Sequence, residues 1–277
     1  MRLRPYSMQM HIRRCLSKTS STEKAIKFDI AGEKDNVAIV KIDSASTLNA
    51  MGNHIWEELL HMMFKLEKDM NIGAIVFSGC GKTFCVGSDI NEMNKENYQI
   101  LKLKESNYEK FGKCSKPTIA AVNGYALGGG CEIAMMCDII FASQSATFSL
   151  PEILLGTIPG GGGSQRLPRS VGKSKAMELC LVGDHITSEE AFQYGLISNV
   201  YPDESLMSAA IRTAEKIAGH SRFATHICKD AVNASFEMTL ADGIRYEKIL
   251  SRTAIATLEQ RKNINAFFEK RTVDEVD

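Results

Sequence analysis

A chain of 277 residues with 33 basic and 33 acidic side chains has no charge surplus to draw it to nucleic acid, and a hydrophobic content of 44% is enough to fill a sizeable core. It contains no run of 18 apolar residues, so a membrane span is not expected. Cys15, Cys80, Cys85, Cys114, Cys131, Cys137, Cys180 and Cys228 form no CxxC pair, and the six histidines show no HxxxH spacing, which argues against a disulfide framework and against a metal site.

Residues 1–22 carry Arg2, Arg4, Arg13, Arg14 and Lys18, several serines and no acid before Glu23. Such Arg- and Ser-rich, acid-poor composition without a long apolar stretch predicts a mitochondrial transit peptide, with a basic tail as the alternative. Without those five basic residues the remainder has 28 basic against 33 acidic groups, a net charge of −5. Val37–Ile42 and Gly73–Phe77 are short apolar runs rich in β-branched residues and predict strands. Ile55, Leu59, Met62 and Leu66 recur at helical spacing between them. Thr118–Val122 and Asp138–Ala142 predict two further strands flanking a helix that contains Glu132, which gives an α/β chain. From Ser188 the pattern is helical, and the change of composition places a boundary near Pro202. The expected division is therefore a leader at 1–22, a core at 23–202 and a helical region at 203–277.

The stretch from Lys116 to Gly163 holds two acids in apolar or glycine-rich surroundings. Glu132 follows Gly128-Gly129-Gly130 at the start of the run CEIAMMCD, and Glu152 follows Pro151. A carboxylate near apolar side chains costs free energy unless it is hydrogen-bonded or its pKa rises, so the pair suggests a site that uses both. Capping of a helix by an acid in its first turn remains the alternative for either one. The triple glycine removes side chains where a helix begins and leaves backbone N–H groups without intrahelical partners. Neither a P-loop Lys-Ser/Thr nor a dinucleotide fingerprint accompanies it. An oxyanion held by N–H donors beside a proton-transferring carboxylate fits these residues.

Cys131, Cys137, Met135 and Met136 read as packing residues, Asp138 as structural and Arg166 as an anchor for the glycine loop. Asp89 precedes INEM in an N-cap context.

Three segments, AAVNGYALGGGCEIAMMCDI (120–139), PEILLGTIPGGGGSQRL (151–167) and FCVGSDINEM (84–93), resemble the crotonase or enoyl-CoA hydratase superfamily, with weaker likeness from Ile26 nearly to the C-terminus. The resemblance implies a spiral of ββα units followed by C-terminal helices that pack on the core and between subunits, and hence a homo-oligomer, a trimer or a hexamer, in the mitochondrial matrix. It implies an acyl-CoA substrate, with coenzyme A as part of that substrate, and no separate cofactor or metal. Glu132 and Glu152 would be the catalytic acids sharing one water. The backbone N–H groups of Ser88 and Gly129 would form the oxyanion hole, and that of Gly160 would position the water. Val86, Gly87, Ser88, Asp89, Ile90 and Gly129 would line the acyl-CoA. The expected reaction is hydration of 2-trans-enoyl-CoA. A double-bond isomerase is the second reading, and Glu132 counts against it because such isomerases usually need only the acid at the Glu152 position. An RNA-binding homologue is the third, disfavoured because Lys65 and Lys68 are interleaved with Glu67 and Asp69. The chain departs from the family pattern at Ser46 and Asn91, where lysine or arginine often approaches the CoA phosphates, and at Phe148-Ser149-Leu150. Weaker phosphate contact is the expected consequence.

Overall fold

A computed structural model of the protein describes residues 24–93 and 107–257 together with 260, 261, 264, 265 and 268; the transit-peptide expectation for residues 1–22 lies outside them. An antiparallel hairpin, β1 (Ile26–Ala31) and β2 (Val37–Ile42), leads into α1 (Asn53–Lys68). From there the chain alternates between two sheets. Strands β3 (Ala74–Gly79), β5 (Thr118–Val122) and β7 (Ile139–Ser143) enter a six-stranded sheet. Each is followed by a short strand of a four-stranded sheet: β4 (Thr83–Cys85), β6 (Tyr125–Leu127) and β8 (Thr147–Ser149). The helices that return the chain are α2 (Ile90–Met93) and α3 (Asn107–Gly112) after β4, and α4 (Gly129–Met136) after β6. A turn of 3-10 helix, Pro151–Leu155, follows β8. Two strands and a helix thus repeat as a unit. Because each unit begins again on the same side, β2–β3, β3–β5 and β5–β7 all pair in parallel, as do β4–β6 and β6–β8. This is the α/β spiral that the resemblance implied.

The inner strands β2, β3, β5 and β7 read as mostly apolar runs because both of their faces are covered. On one face Ala38, Val40, Ile75, Phe77, Ala120 and Val122 join the large core together with Ile55, Trp56, Leu59, Met63 and Leu66 of α1. On the other, Val37, Ala74, Val76, Ile119, Ala121 and Phe141 pack against Leu206, Ala210 and Ala214 of α8 (Leu206–Ala218). Between these lie α5 (Gly163–Val171), α6 (Lys173–Val182), β9 (Ile186–Thr187) and α7 (Ser188–Gln193), the last closed by a capping box of Thr187 and Glu190.

The sequence reads as helical beyond Ser188, yet Asn199–Tyr201 forms β10, parallel to β7 at the sheet edge. Three residues are too few for a period-2 signal, and only the neighbouring strand makes them extended. Two helices follow, α9 (Arg222–Ala234) and α10 (Leu240–Ile255), which pack on each other and bury no residue fully. Lys229 of α9 ties them to the core through Asp138 at 2.9 Å, while its Nζ also donates to the Lys116 carbonyl at 2.9 Å.

Candidate active site

The triple glycine builds the start of α4 by close approach. Gly128 adopts φ of +50°, and a Cβ there would stand 3.0 Å from Glu152 Oε1; a Cβ on Gly130 would collide with the Cys85 carbonyl. Side chains at these positions would push α4 away from β4 and from the 3-10 turn. The result is that the first turn of α4, the end of β4 and Glu152 converge. Gly87, with φ of +94°, brings the Ser88 loop against them, since its own Cβ would lie 2.9 Å from the Gly129 nitrogen.

Two backbone N–H groups lie at the edge of this space. Gly129 is the first residue of α4, so its N–H has no intrahelical acceptor. Ser88 pairs with Met51 through its neighbours: the Met51 N–H donates to the Gly87 carbonyl at 2.7 Å and the Asp89 N–H to the Met51 carbonyl at 3.4 Å, so that short ladder does not use the Ser88 N–H. Asp89 itself accepts from the Asn91 N–H at 2.8 Å through Oδ1, the local capping contact read from the sequence.

The two glutamates have different surroundings. Glu132 is 2% exposed, and its Oε1 accepts from the Gly161 N–H at 2.8 Å and the Gly163 N–H at 2.7 Å. Burial raises its pKa, while the Gly163 and Gly161 donors and the nearby Arg166 guanidinium act in the opposite sense. Arg166 in turn donates from Nη1 to the Gly161 carbonyl at 3.2 Å, bracing the loop that holds Glu132. Glu152 sits in the 3-10 turn with its Oε2 buried and without a hydrogen-bond partner among the described residues. Burial and the neighbouring Glu132 charge push its carboxyl up to about 7, against a lowering by its own backbone N–H. One acid is thus furnished with donors and the other is short of them.

Of the other residues singled out in the sequence, Gly160 lies in the same loop, where a Cβ would meet nothing within 4 Å. Val86 and Ile90 flank the Ser88 loop, Val86 half-buried and Ile90 exposed. Cys131 and Cys137 are buried thiols whose pKa values burial pushes far up, as expected of packing residues. Asp138 accepts from the Thr118 N–H at 2.7 Å and its hydroxyl at 2.8 Å. Among the described residues no group of His, Cys, Asp or Glu is placed to hold a metal ion, and no helix is long and apolar enough to cross a membrane.

The site also contains a residue that no motif marked. Tyr108 of α3 lies beside both Gly129 and Gly161, and it belongs to a run, NYEKFG, whose spacing carries no link to the glutamates. The only signal in the sequence is an aromatic pair, Tyr108 and Phe111, on one face of a short helix.

Residues 32–275 match the family model described as enoyl-CoA hydratase/isomerase. Among curated proteins, the chain is 45% identical over 260 residues to a probable mitochondrial enoyl-CoA hydratase of Dictyostelium discoideum, covering 92% of this chain and 89% of that one. It is 46% identical over 242 residues to the mitochondrial enoyl-CoA hydratase of Pongo abelii, covering 87% and 83%. Among solved structures, an enoyl-CoA hydratase from Bacillus anthracis superposes with a TM-score of 0.84 at 33% identity, covering 90% of this chain and 97% of that one.

Proposed function

Because the chain belongs to the enoyl-CoA hydratase/isomerase family, we propose that it hydrates 2-trans-enoyl-CoA thioesters to 3-hydroxyacyl-CoA, as in mitochondrial β-oxidation. The thioester oxygen accepts hydrogen bonds from the Ser88 and Gly129 N–H groups, and Val86, Gly87, Asp89 and Ile90 line the acyl-CoA beside them. As water attacks Cβ, electron density moves through the conjugated system onto that oxygen. Preorganised donors aimed at developing charge lower such barriers by about 3 to 4 kcal/mol each. Glu132 accepts the proton that the attacking water loses, Gly160 helps to hold the water, and Glu152 delivers a proton to Cα. The O–H bond of water breaks as C–O forms, and the C–H bond at Cα completes the addition.

The observation that carries this reading is the inequality of the two acids. Glu132 has two N–H donors that favour its ionised form, whereas Glu152, pushed up to about 7, keeps a proton near neutrality. A base and an acid are therefore available together. Localisation in the matrix is supported by the acid-poor basic residues 1–22 and by the mitochondrial names of the two curated relatives. A trimer or hexamer is supported by exposed apolar side chains on the C-terminal helices, among them Val232, Ile244 and Ile249. Within this reading, residues 23–202 form the catalytic core and 203–277 the helical oligomerisation region.

The direct test follows the absorbance of the conjugated thioester with crotonyl-CoA. Absorbance should fall as 3-hydroxybutyryl-CoA forms. Turnover of a 3-enoyl-CoA alone, with crotonyl-CoA untouched, would make the isomerase reading the correct one.

A further inference from the structure

Tyr108 spans the site from one side to the other. Its ring packs edge-on against Trp56 with centroids 4.8 Å apart. The ring edge borders the glycine loop, since a Cβ on Gly161 would stand 2.6 Å from Cδ1, and that same Cβ would stand 2.7 Å from Glu132 Oε2. At the far end, a Cβ on Gly129 would collide with the phenolic oxygen itself. The hydroxyl therefore lies against the residue whose N–H faces the thioester oxygen in the reading above.

That hydroxyl is poorly partnered for a half-buried group. Its polar contact among the described residues is Ser88 Oγ at 3.3 Å, longer than the usual O–H···O range of about 2.5 to 3.0 Å. Burial is the main reason the phenol's pKa rises far above its ordinary value, and the Glu132 and Glu152 charges act in the same direction, so the hydroxyl keeps its proton and remains a donor. A partly buried donor whose contact among the described residues is long gains free energy from a well-placed acceptor. Among the described residues the Glu132 side of the ring offers no such acceptor contact to the hydroxyl, which lies by Ser88 and Gly129 instead.

We propose that the Tyr108 hydroxyl is a third hydrogen-bond donor of the oxyanion hole, given to the thioester oxygen of bound acyl-CoA alongside the N–H groups of Ser88 and Gly129. The inference rests on the acyl-CoA reading of the site and adds a side-chain donor to the two backbone donors. It makes Tyr108 a catalytic residue, because its bond strengthens as the oxygen gains negative charge. The ring, held by Trp56, fixes the direction of the hydroxyl, and Ser88 Oγ occupies it until the thioester arrives.

Tyr108→Phe keeps the ring and its packing and removes only the donor. With crotonyl-CoA, kcat should fall about 10- to 100-fold while KM stays within about 3-fold, as for an interaction made mainly in the transition state. A second readout needs no turnover: the infrared carbonyl band of carbon-13-labelled butyryl-CoA, which cannot be hydrated, bound to either protein. The band should lie at higher frequency in Tyr108→Phe because the carbonyl is less polarised. A merely structural tyrosine would leave it in place. Unchanged kcat and an unchanged band would overturn the proposal, and so would a fall in kcat with an unmoved band, since the hydroxyl would then act elsewhere than on the thioester oxygen. If the wild-type protein bound butyryl-CoA but left crotonyl-CoA untouched, the hydratase reading would fail by itself, and the band shift would still decide whether Tyr108 donates to the carbonyl.

Discussion

Glu132 and Glu152 are the same residue type at one site, held by two regions built on different principles. The glycine loop 160–163 has no side chains, so its backbone can fold closely around a carboxylate, and the Gly161 and Gly163 N–H groups reach Glu132 Oε1 at 2.8 and 2.7 Å. The 3-10 turn at Pro151–Leu155 offers no such cradle, and Glu152 Oε2 is buried without a partner among the described residues. Burial alone would push both acids toward the protonated form. In the proposed hydration, backbone donors on one and their lack on the other would let identical groups serve as a base and an acid, one for each half of the addition.

Removing either acid should have the largest effect. Glu132→Gln and Glu152→Gln should each lower kcat by about 10² to 10⁴ with KM nearly unchanged, because glutamine keeps the volume and a carbonyl acceptor but transfers no proton. Steady-state kinetics with crotonyl-CoA measures this. Wild-type turnover by either variant would remove that residue from the reaction.

A smaller effect separates the two environments by pH. The native Glu152 carboxyl titrates near 7 against an ordinary value of 4.5, so between these limits the folded protein binds more protons than the unfolded chain. Stability should therefore fall as pH rises through that window, with the cost fully present above about 7. Thermal unfolding of Glu152→Gln should show a flatter dependence over the same range. Glu132 contributes a slope of the same sign, reduced by its donors, so some dependence should remain. Activity of the wild type should decline above about pH 7 as Glu152 loses the proton it delivers. An identical pH dependence of unfolding in both proteins would mean that Glu152 is not the strained group.

The mildest effect lies away from the acids. Ser46 and Asn91, the positions where the family resemblance implies lysine or arginine, are exposed. Lys229 is occupied by Asp138 and the Lys116 carbonyl, whereas Lys82 is exposed. Each exposed lysine contact is worth about 0.2 to 1 kcal/mol. Ser46→Lys with Asn91→Lys should therefore lower KM by up to several-fold at low salt with kcat little changed, and the gain should fade at high salt. An unchanged KM at low salt would show that CoA already has its cationic contacts.

The alternation of strands and helices is legible in the order of the residues alone. Val37–Ile42 and Thr118–Val122 are mostly apolar runs, and Ile55, Leu59 and Leu66 repeat at the spacing of one helix face. The two glutamates and the glycines beside them are legible too, because an acid in apolar sequence and a triple glycine are local departures from ordinary composition. These readings succeed because the information lies within a few neighbouring residues.

Other features were decided only when the chain closed on itself. Strand β10 is extended because β7 lies beside it, and the donors on Glu132 come from a loop roughly thirty residues away in sequence, brought there by the return of the chain after β8. Tyr108 arrives from a separate helix with nothing in its own segment to announce it. The acids could be named from the sequence, but which one holds its proton depends on burial and on backbone N–H groups aimed from elsewhere. Desolvation and hydrogen-bond direction are properties of three-dimensional surroundings, and a residue's identity does not carry them.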